Sequence, residues 1–156
     1  MAPTRVVVNG ATGKMGVETV AAVSQQEDLA LVGAVCFRER GPKLTLPSGV
    51  EVPLSTNLER MLEDTHPDVL VDFTTAAACM EAALAGAAHA TNLVLGASGL
   101  TDDHLKQLDT MAGDKKIGII VAPNFALGAV ILKRLAEQAA PYFDYVDIVE
   151  AHHETK

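Results

Sequence analysis

The sequence has no tryptophan and few other aromatic residues, and its basic side chains are outnumbered by acidic ones. Lysine and arginine number 12 against 20 aspartate and glutamate residues, which gives a formal net charge of −8 at pH 7. A surface of this sign excludes a general nucleic-acid-binding protein, because clustered cations provide the affinity for phosphate backbones. We expect no nucleic-acid partner, and any anionic ligand must be held by local groups.

Long apolar runs are also missing. Although 49% of the residues are hydrophobic, no run is long enough to cross a bilayer. Residues 1–4 lead into the first apolar segment without the separate hydrophobic region and cleavage site of a signal peptide. The two cysteines, Cys36 and Cys79, lack metal-ligand spacing and are typical of buried small hydrophobic residues in a reducing compartment. We expect a cytoplasmic protein with no membrane partner and no bound metal.

A glycine-punctuated stretch near the beginning of the chain carries the strongest signal. In residues 5–20, RVVVNGATGKMGVETV, a strand-like valine run is followed by Gly10, Gly13 and Gly16, and then by helical spacing of apolar residues. Thr12 stands where the second glycine of G-x-G-x-x-G would be, so the pattern is the G-x-x-G-x-x-G variant. A strand, a glycine turn and a helix N-terminus together favour a site for a dinucleotide pyrophosphate. A purely structural turn is the alternative.

Strand-like and helical segments alternate along nearly the whole chain, which has the length of one ordinary domain. We predict strands at residues 6–8, 29–36, 69–73, 93–95, 117–121 and 145–151, a small hairpin or irregular excursion within 43–54, and helices at about 14–26, 57–64, 76–90, 101–112 and 127–140. This order predicts an α/β fold with a doubly wound, mainly parallel sheet of the Rossmann-like type. Ligands then bind at the carboxyl ends of the strands.

The segment after the second predicted strand carries cations. Phe37 occupies the place where NAD-preferring versions of this fold have a carboxylate, and Arg38 follows it. A guanidinium there can hold a 2′-phosphate bidentately, which favours NADPH over NADH. Glu39 is a contrary signal, and a solvated pair of Arg38 and Arg40 is the alternative.

Two other strand ends have polar or glycine-rich sequences. Thr74 and Thr75 follow the third main strand, and either can cap the next helix as readily as it can contact a ligand. The turn at residues 96–99, GASG, offers exposed backbone groups for a nicotinamide carboxamide, although a simple strand-to-helix turn explains it equally well.

The last residues, HHETK, combine two histidines with a lysine. Adjacent histidines on a strand point to opposite faces, so they seldom bind one metal ion. A proton donor beside a cationic substrate anchor is the better functional hypothesis, and an exposed polar terminus is the alternative.

Four segments occur in an order typical of one enzyme family. They are VVVNGATGKMG at residues 6–16, DFT at 72–74, PNF at 123–125 followed by Gly128, and EAHHETK at 150–156. In this combination the chain resembles the bacterial 4-hydroxy-tetrahydrodipicolinate reductases, also called dihydrodipicolinate reductases, of the diaminopimelate route to lysine. The resemblance implies hydride transfer from NADPH, or less favourably NADH, to C4 of a cyclic dicarboxylate substrate after loss of its 4-hydroxyl.

The resemblance also implies roles for individual residues. His152 corresponds to the general acid, Lys156 to a residue of substrate binding and proton donation, and His153 to a substrate contact. The implied cofactor-binding residues are Gly10, Ala11, Thr12, Gly13, Lys14, Met15, Arg38, Phe73, Thr74, Gly96, Ala97, Ser98, Ala122, Pro123, Asn124 and Phe125. The family has G-T-T-G where this chain has GASG, so Ala97 lacks a hydroxyl that family members carry.

Family members continue past the final lysine into a second, substrate-binding domain. We therefore expect residues 1–126 to form the NAD(P)-binding domain and residues 127–156 to lead into a substrate domain absent from this sequence. The chain is expected to be an N-terminal fragment or shortened product, inactive by itself, and a monomer or weak oligomer where the full-length family is homotetrameric. A stand-alone NADP-binding sensor is the alternative. A semialdehyde dehydrogenase is less favoured, because it needs a nucleophilic cysteine at a strand end.

Overall fold

A computed structural model describes residues 2–122 and 125–149 of the chain. It divides into two compact units, Met1–Pro123 and Asn124–Lys156. In the first unit the strands are β1 (Thr4–Asn9), β2 (Leu29–Val35), β3 (Lys43–Thr45), β4 (Glu51–Ser55), β5 (Val69–Asp72), β6 (Asn92–Leu95) and β7 (Ile119–Val121). The helices are α1 (Lys14–Ser24), α2 (Leu58–Thr65), α3 (Ala76–Ala88) and α4 (Asp102–Lys115).

The seven strands form one sheet in the order β3-β4-β2-β1-β5-β6-β7. All pairings are parallel except that of β3 with β4, which is the antiparallel hairpin expected within residues 43–54. Strands β2 to β4 are added on one side of β1, and β5 to β7 on the other side, so the order of strands in the sheet reverses at β1. The predicted α/β fold with a mainly parallel sheet is confirmed, and the carboxyl end of β1 lies at the topological switch point, where such sheets bind ligands.

The central strand explains the two layers of the core. Val6, Val7 and Val8 are each at most 3% exposed. Because successive side chains of a strand point to opposite faces, Val7 packs with Leu62 of α2 and with residues of α3, whereas Val6 and Val8 pack with Val20 of α1 and its neighbours. Helices therefore pack on both faces of the sheet around its central strand β1.

The second unit contains the predicted helix, observed as α5 (Leu127–Ala139), followed by a 3₁₀ turn at Ala140–Tyr142. The prediction of a strand at residues 145–151 is wrong over residues 145–149, which have no regular secondary structure, and residues 150–151 lie outside the described part. The β-branched and aromatic side chains of this segment favour a strand, but a strand also needs a hydrogen-bonded neighbour. Ile148 and Val149 are more than 80% exposed.

No helix within the described ranges is both long enough and apolar enough to cross a membrane.

Candidate functional site

The turn after β1 is held tightly against two neighbouring strands. Gly10 has a φ of +77°, and a Cβ there would lie 2.8 Å from the carbonyl oxygen of Phe73, so only glycine fits without strain. The amide of Ala11 donates to the carbonyl of Val35 at 2.9 Å, and the Ala11 methyl group is buried in the core. The turn therefore has a fixed position between the carboxyl ends of β2 and β5.

The other two glycines of the motif have different roles. Gly16 is buried in α1, and a Cβ there would overlap the backbone of Gly10, so this glycine lets the helix approach the turn. Gly13 is the N-cap of α1 with φ −79° and ψ 170°, which any residue can adopt. Its contribution is the lack of a side chain, because it leaves the first N–H groups of the helix without a side-chain acceptor. Lys14 and Met15, which follow it, are exposed.

The helices after three other strands are capped by side chains. Asn57 accepts a hydrogen bond from the amide of Arg60 at the start of α2, and Thr75 accepts one from Ala78 at the start of α3. Thr101 begins α4 in the same way. The choice between Thr74 and Thr75 as the cap of α3 is thus resolved in favour of Thr75, and Thr74 has other contacts.

Asp72, at the end of β5, is fully buried and accepts several hydrogen bonds. Its Oδ2 accepts from Nδ2 of Asn9 at 2.7 Å, and its Oδ1 accepts from the amide and the hydroxyl of Thr74 at 3.0 and 2.8 Å. Burial raises the pKa of the Cys79 thiol to about 12, and the charge of Asp72 and a hydrogen bond to it add to this effect. Neither Asp72 nor Asn9 has a role predicted from the sequence, although both are polar residues that end apolar strands.

The turn after β6 presents backbone groups rather than side chains. The amide of Gly96 donates to the carbonyl of Asp72 at 2.8 Å, and a Cβ on Gly96 would overlap the ring of Phe73. Ala97 is 1% exposed, so its side chain belongs to the core, whereas Ser98 is exposed. At position 97 the family has a threonine, whereas this chain has an alanine whose methyl group is buried in the core.

A cleft of about 330 Å³ opens beside the glycine turn on the β2 side. Asn9, Gly10 and Thr74 form part of its lining, together with Phe37, which is 94% exposed. Arg38 is also exposed, and its guanidinium forms no ion pair with any described residue.

The loop that carries Arg38 is anchored at both sides. The thiol of Cys36 donates to the carbonyl of Arg38 at 3.0 Å, and the carboxylate of Glu39 accepts from the amide of Gly41 at 3.0 Å. The Glu39 carboxylate is thus held within its own loop. Arg38 and Arg40 are the cations of this loop, both exposed and without an ion pair to any described residue, and Arg38 is the nearer of the two in sequence to the end of β2.

Neither cysteine is suited to nucleophilic chemistry. Cys36 and Cys79 are at most 3% exposed, and burial raises the pKa of both thiols, with the charge of Glu39 adding to the effect at Cys36. Since the thiolate is the reactive form, these side chains are inert at neutral pH. Within residues 2–122 and 125–149, no group of three or more His, Cys, Asp or Glu side chains is arranged to hold a metal ion.

The structure brings only some of the expected site residues together. Gly10 lies against Phe73 and Thr74, and Gly96 lies against the ring of Phe73, all at the carboxyl edge of the sheet. Gly10 leads into the rest of the turn and the start of α1, which contain Ala11, Thr12, Gly13, Lys14 and Met15. Ala122 follows β7 at the same edge, where its amide donates to the carbonyl of Leu95 at 2.9 Å. Phe125 belongs to the second unit. Pro123, Asn124, His152, His153 and Lys156 lie outside the described residues.

Known proteins resemble this chain over most of its length. A family model described as the N-terminus of dihydrodipicolinate reductase matches residues 4–125. The 4-hydroxy-tetrahydrodipicolinate reductase of Dehalococcoides mccartyi strain 195 is 45% identical over an alignment that covers 100% of this chain and 60% of that protein. The chain thus spans about 60% of the length of this curated relative.

Among solved structures, a dipicolinate-bound dihydrodipicolinate reductase from Paenisporosarcina sp. TG-14 is similar, with a TM-score of 0.76 and 37% identity. The match covers 90% of this chain and 55% of the other. The NAD complex of GenD2 from gentamicin A biosynthesis, at 21% identity and a TM-score of 0.69 over 89% of this chain and 40% of that one, shows a likeness of fold alone. The chain therefore belongs to the dihydrodipicolinate reductase family, whose N-terminal part it matches.

Proposed function

We propose that this chain binds NADPH, and NADH more weakly, at the carboxyl edge of its sheet. It would serve as the cofactor-binding part of an enzyme that reduces 4-hydroxy-tetrahydrodipicolinate to tetrahydrodipicolinate in the diaminopimelate route to lysine. The observation that carries this proposal is the start of α1, which has no side-chain cap and directly follows a glycine turn at the switch point of the sheet. Because the chain spans about 60% of its curated relative, the reduction itself is proposed for proteins of that relative's full length.

The pyrophosphate is proposed to lie over the glycine turn. Gly10 and Gly13 present backbone without side chains, and the N-terminus of α1 has no acidic residue in its first turn. Its N–H groups and the positive end of the helix dipole favour an anion. The net charge of −8 makes such local groups necessary, because the overall field of the chain repels a nucleotide.

The preference for NADPH is proposed to depend on Arg38. This residue follows β2, the strand whose end meets the adenosine ribose in folds of this type. Its guanidinium has no partner of opposite charge among the described residues, and Glu39 is held by the amide of Gly41. A 2′-phosphate would therefore meet a cation rather than a carboxylate.

The nicotinamide is proposed to lie near Gly96, Ser98 and Ala122, which follow the neighbouring strands β6 and β7 at the same edge. Bound NADPH would supply the hydride. Pro123, Asn124 and Phe125 are proposed to complete this part of the cofactor site.

The substrate is proposed to be a small dicarboxylate. Support comes from the family resemblance of the final residues and from the bound dipicolinate of the Paenisporosarcina structure. His152 is proposed as the general acid that delivers a proton beside the new C–H bond. Lys156, which is also proposed to assist this proton delivery, and His153 are proposed to contact the carboxylates, because a dicarboxylate needs cations around it.

Calorimetric titration of the 156-residue chain with NADPH and NADH tests the cofactor site. We expect Arg38→Ala to weaken NADPH binding about tenfold to hundredfold, the usual range for losing a hydrogen bond to a charged group, and to change NADH binding little. Arg40→Ala, in the same loop, is the matched control and is expected to leave both affinities unchanged. If wild-type chain binds neither nucleotide, the cofactor proposal is wrong. An equal loss of NADPH and NADH affinity would exclude Arg38 as the 2′-phosphate contact.

A further inference from the structure

Asp72 is buried beneath the proposed nucleotide site and forms hydrogen bonds to three of its segments. Its carboxylate is fully buried and accepts from Asn9, the last residue of β1 before the glycine turn, at 2.7 Å. The other carboxylate oxygen accepts from the amide and the hydroxyl of Thr74. The backbone carbonyl of Asp72 accepts from Gly96 at 2.8 Å. One residue therefore links the ends of β1, β5 and β6.

The carboxylate itself is poorly suited to contact the cofactor. A negative charge facing a pyrophosphate repels it, and a side chain with no exposed surface cannot reach a ligand. Buried charges persist when hydrogen-bond donors surround them, and Asn9 and Thr74 provide these donors here. Both of these donors line the cleft beside the glycine turn. The charge is thus kept behind neutral groups that face the ligand.

We infer that Asp72 is a positioning residue of the proposed NADPH site. Through Asn9 it holds the entry into the glycine turn, and through Thr74 it holds the segment that faces this turn. The inference rests on the proposed cofactor function. A carboxylate is required because the group must accept on both oxygens at once, whereas an asparagine has one acceptor and would turn an NH₂ group toward one of its present donors.

A second aspartate at the opposite end of the same strand provides a matched control. Asp68 precedes β5, and its carboxylate accepts from the backbone amide of Arg5 at 2.8 Å, so it also links β5 to β1. It is exposed and lies at the amino edge of the sheet. Replacing either residue with asparagine makes the same loss of charge on the same strand, but only Asp72 contacts segments of the proposed site.

The test compares Asp72→Asn with Asp68→Asn in the 156-residue chain at a temperature where thermal unfolding shows that both variants are folded. Calorimetry measures NADPH binding, and an NMR titration measures 2′-AMP, which contains the adenosine and 2′-phosphate but no pyrophosphate or nicotinamide. We expect Asp72→Asn to weaken NADPH about tenfold, equivalent to the roughly 1.4 kcal/mol of one buried hydrogen bond, and 2′-AMP less than about twofold. Asp68→Asn is expected to change neither affinity.

A merely structural role of Asp72 predicts a different pattern. It would lower the affinities for NADPH and 2′-AMP equally, or leave both unchanged in the folded protein, and either result would overturn the inference. If Asp72→Asn does not fold, Asn9→Ala removes the hydrogen bond between Asn9 and Asp72 by replacing its half-buried partner. This variant is expected to lower the affinity for NADPH and to leave the affinity for 2′-AMP unchanged. Unchanged NADPH binding in that variant also overturns the inference. If the wild-type chain does not bind NADPH, in contrast, the proposed function itself is refuted.

Discussion

Two helices begin at the same edge of the sheet in opposite ways. Both α1 and α4 follow a parallel strand and a glycine-containing turn. At the start of α4, Thr101 accepts from the amide of His104, the His104 ring accepts from the amide of Thr101, and Asp102 and Asp103 lie in the first turn. At the start of α1 the cap is Gly13, and the first turn has no acidic residue.

The difference separates a helix end that is satisfied internally from one that is open to a ligand. A capping box with two aspartates uses the free N–H groups and the positive end of the dipole, so an anion there meets repulsion. A glycine cap leaves the N–H groups and the positive end of the dipole available to a phosphate, and it lowers the stability of the helix by a few tenths of a kcal/mol. Of the four helices that the structure describes in the first unit, α1 alone begins with neither a side-chain cap nor an acidic residue in its first turn, and this is the helix end proposed to receive the anion.

The largest expected effect comes from Gly16→Ala, which removes the close approach of α1 to the turn. The new Cβ would overlap the backbone of Gly10, which has no flexible end that can move away. We expect the free energy of unfolding to fall by about 1–3 kcal/mol, as for other overpacked sites, and NADPH binding to be lost. Chemical denaturation and calorimetry measure the two effects.

Gly113→Ala in α4 is the control for this substitution. A Cβ there meets no atom within 4 Å, and the residue lies in a helix, so alanine is expected to raise the free energy of unfolding by about 0.5–1 kcal/mol. NADPH affinity is expected to stay unchanged. If Gly16→Ala behaved like Gly113→Ala, the close packing of helix and turn would not be needed.

An intermediate effect is expected when the start of α1 is made to resemble that of α4. Gly13 has a φ of −79°, which suits any residue, but its Cβ would lie 3.2 Å from the carbonyl oxygen of Gly10, so a side chain needs the turn to shift by a few tenths of an ångström. Gly13→Asp is expected to raise the free energy of unfolding by about 0.5–1 kcal/mol through the cap and the dipole, and to weaken NADPH about tenfold or more.

Gly13→Asn separates the two contributions, because asparagine caps without a charge. It is expected to stabilise the chain by only a few tenths of a kcal/mol and to weaken NADPH less than aspartate does. Thermal unfolding with and without nucleotide measures both properties. Unchanged NADPH affinity in Gly13→Asp would mean that no anion binds at this helix end.

Local sequence determined much of this architecture. The run Val6–Val8 predicts a buried strand, and the alternation of strands and helices predicts the parallel sheet, because each segment carries its own periodicity. The spacing of Gly10, Gly13 and Gly16 predicts a turn at the position where the structure has it, between β1 and α1. The spacing does not separate the roles of the three glycines, because the contact of Gly16 with Gly10 depends on the path of the helix.

Contacts between distant segments could not be predicted in this way. Asn9 and Asp72 are 63 residues apart, and their hydrogen bond exists because β1 and β5 are paired in the sheet. The choice between Thr74 and Thr75 as the cap of α3 depends on the same carboxylate, which holds the Thr74 hydroxyl. At residues 145–149 the propensity for a strand was present, but propensity provides no hydrogen-bonded neighbour.

The smallest effect on binding is expected from Thr101→Ala, which opens the capped end of α4. The substitution removes the hydroxyl that accepts from His104 and is expected to lower the free energy of unfolding by about 1 kcal/mol, while Thr101→Ser retains most of the stability. Because the carboxylates of Asp102 and Asp103 remain in the first turn and repel an anion near the newly freed N–H groups, NADPH affinity is expected to change less than about twofold. Calorimetry beside chemical denaturation measures both. A clear fall in NADPH affinity would place the start of α4 within the nucleotide site and remove the distinction between the two helix ends.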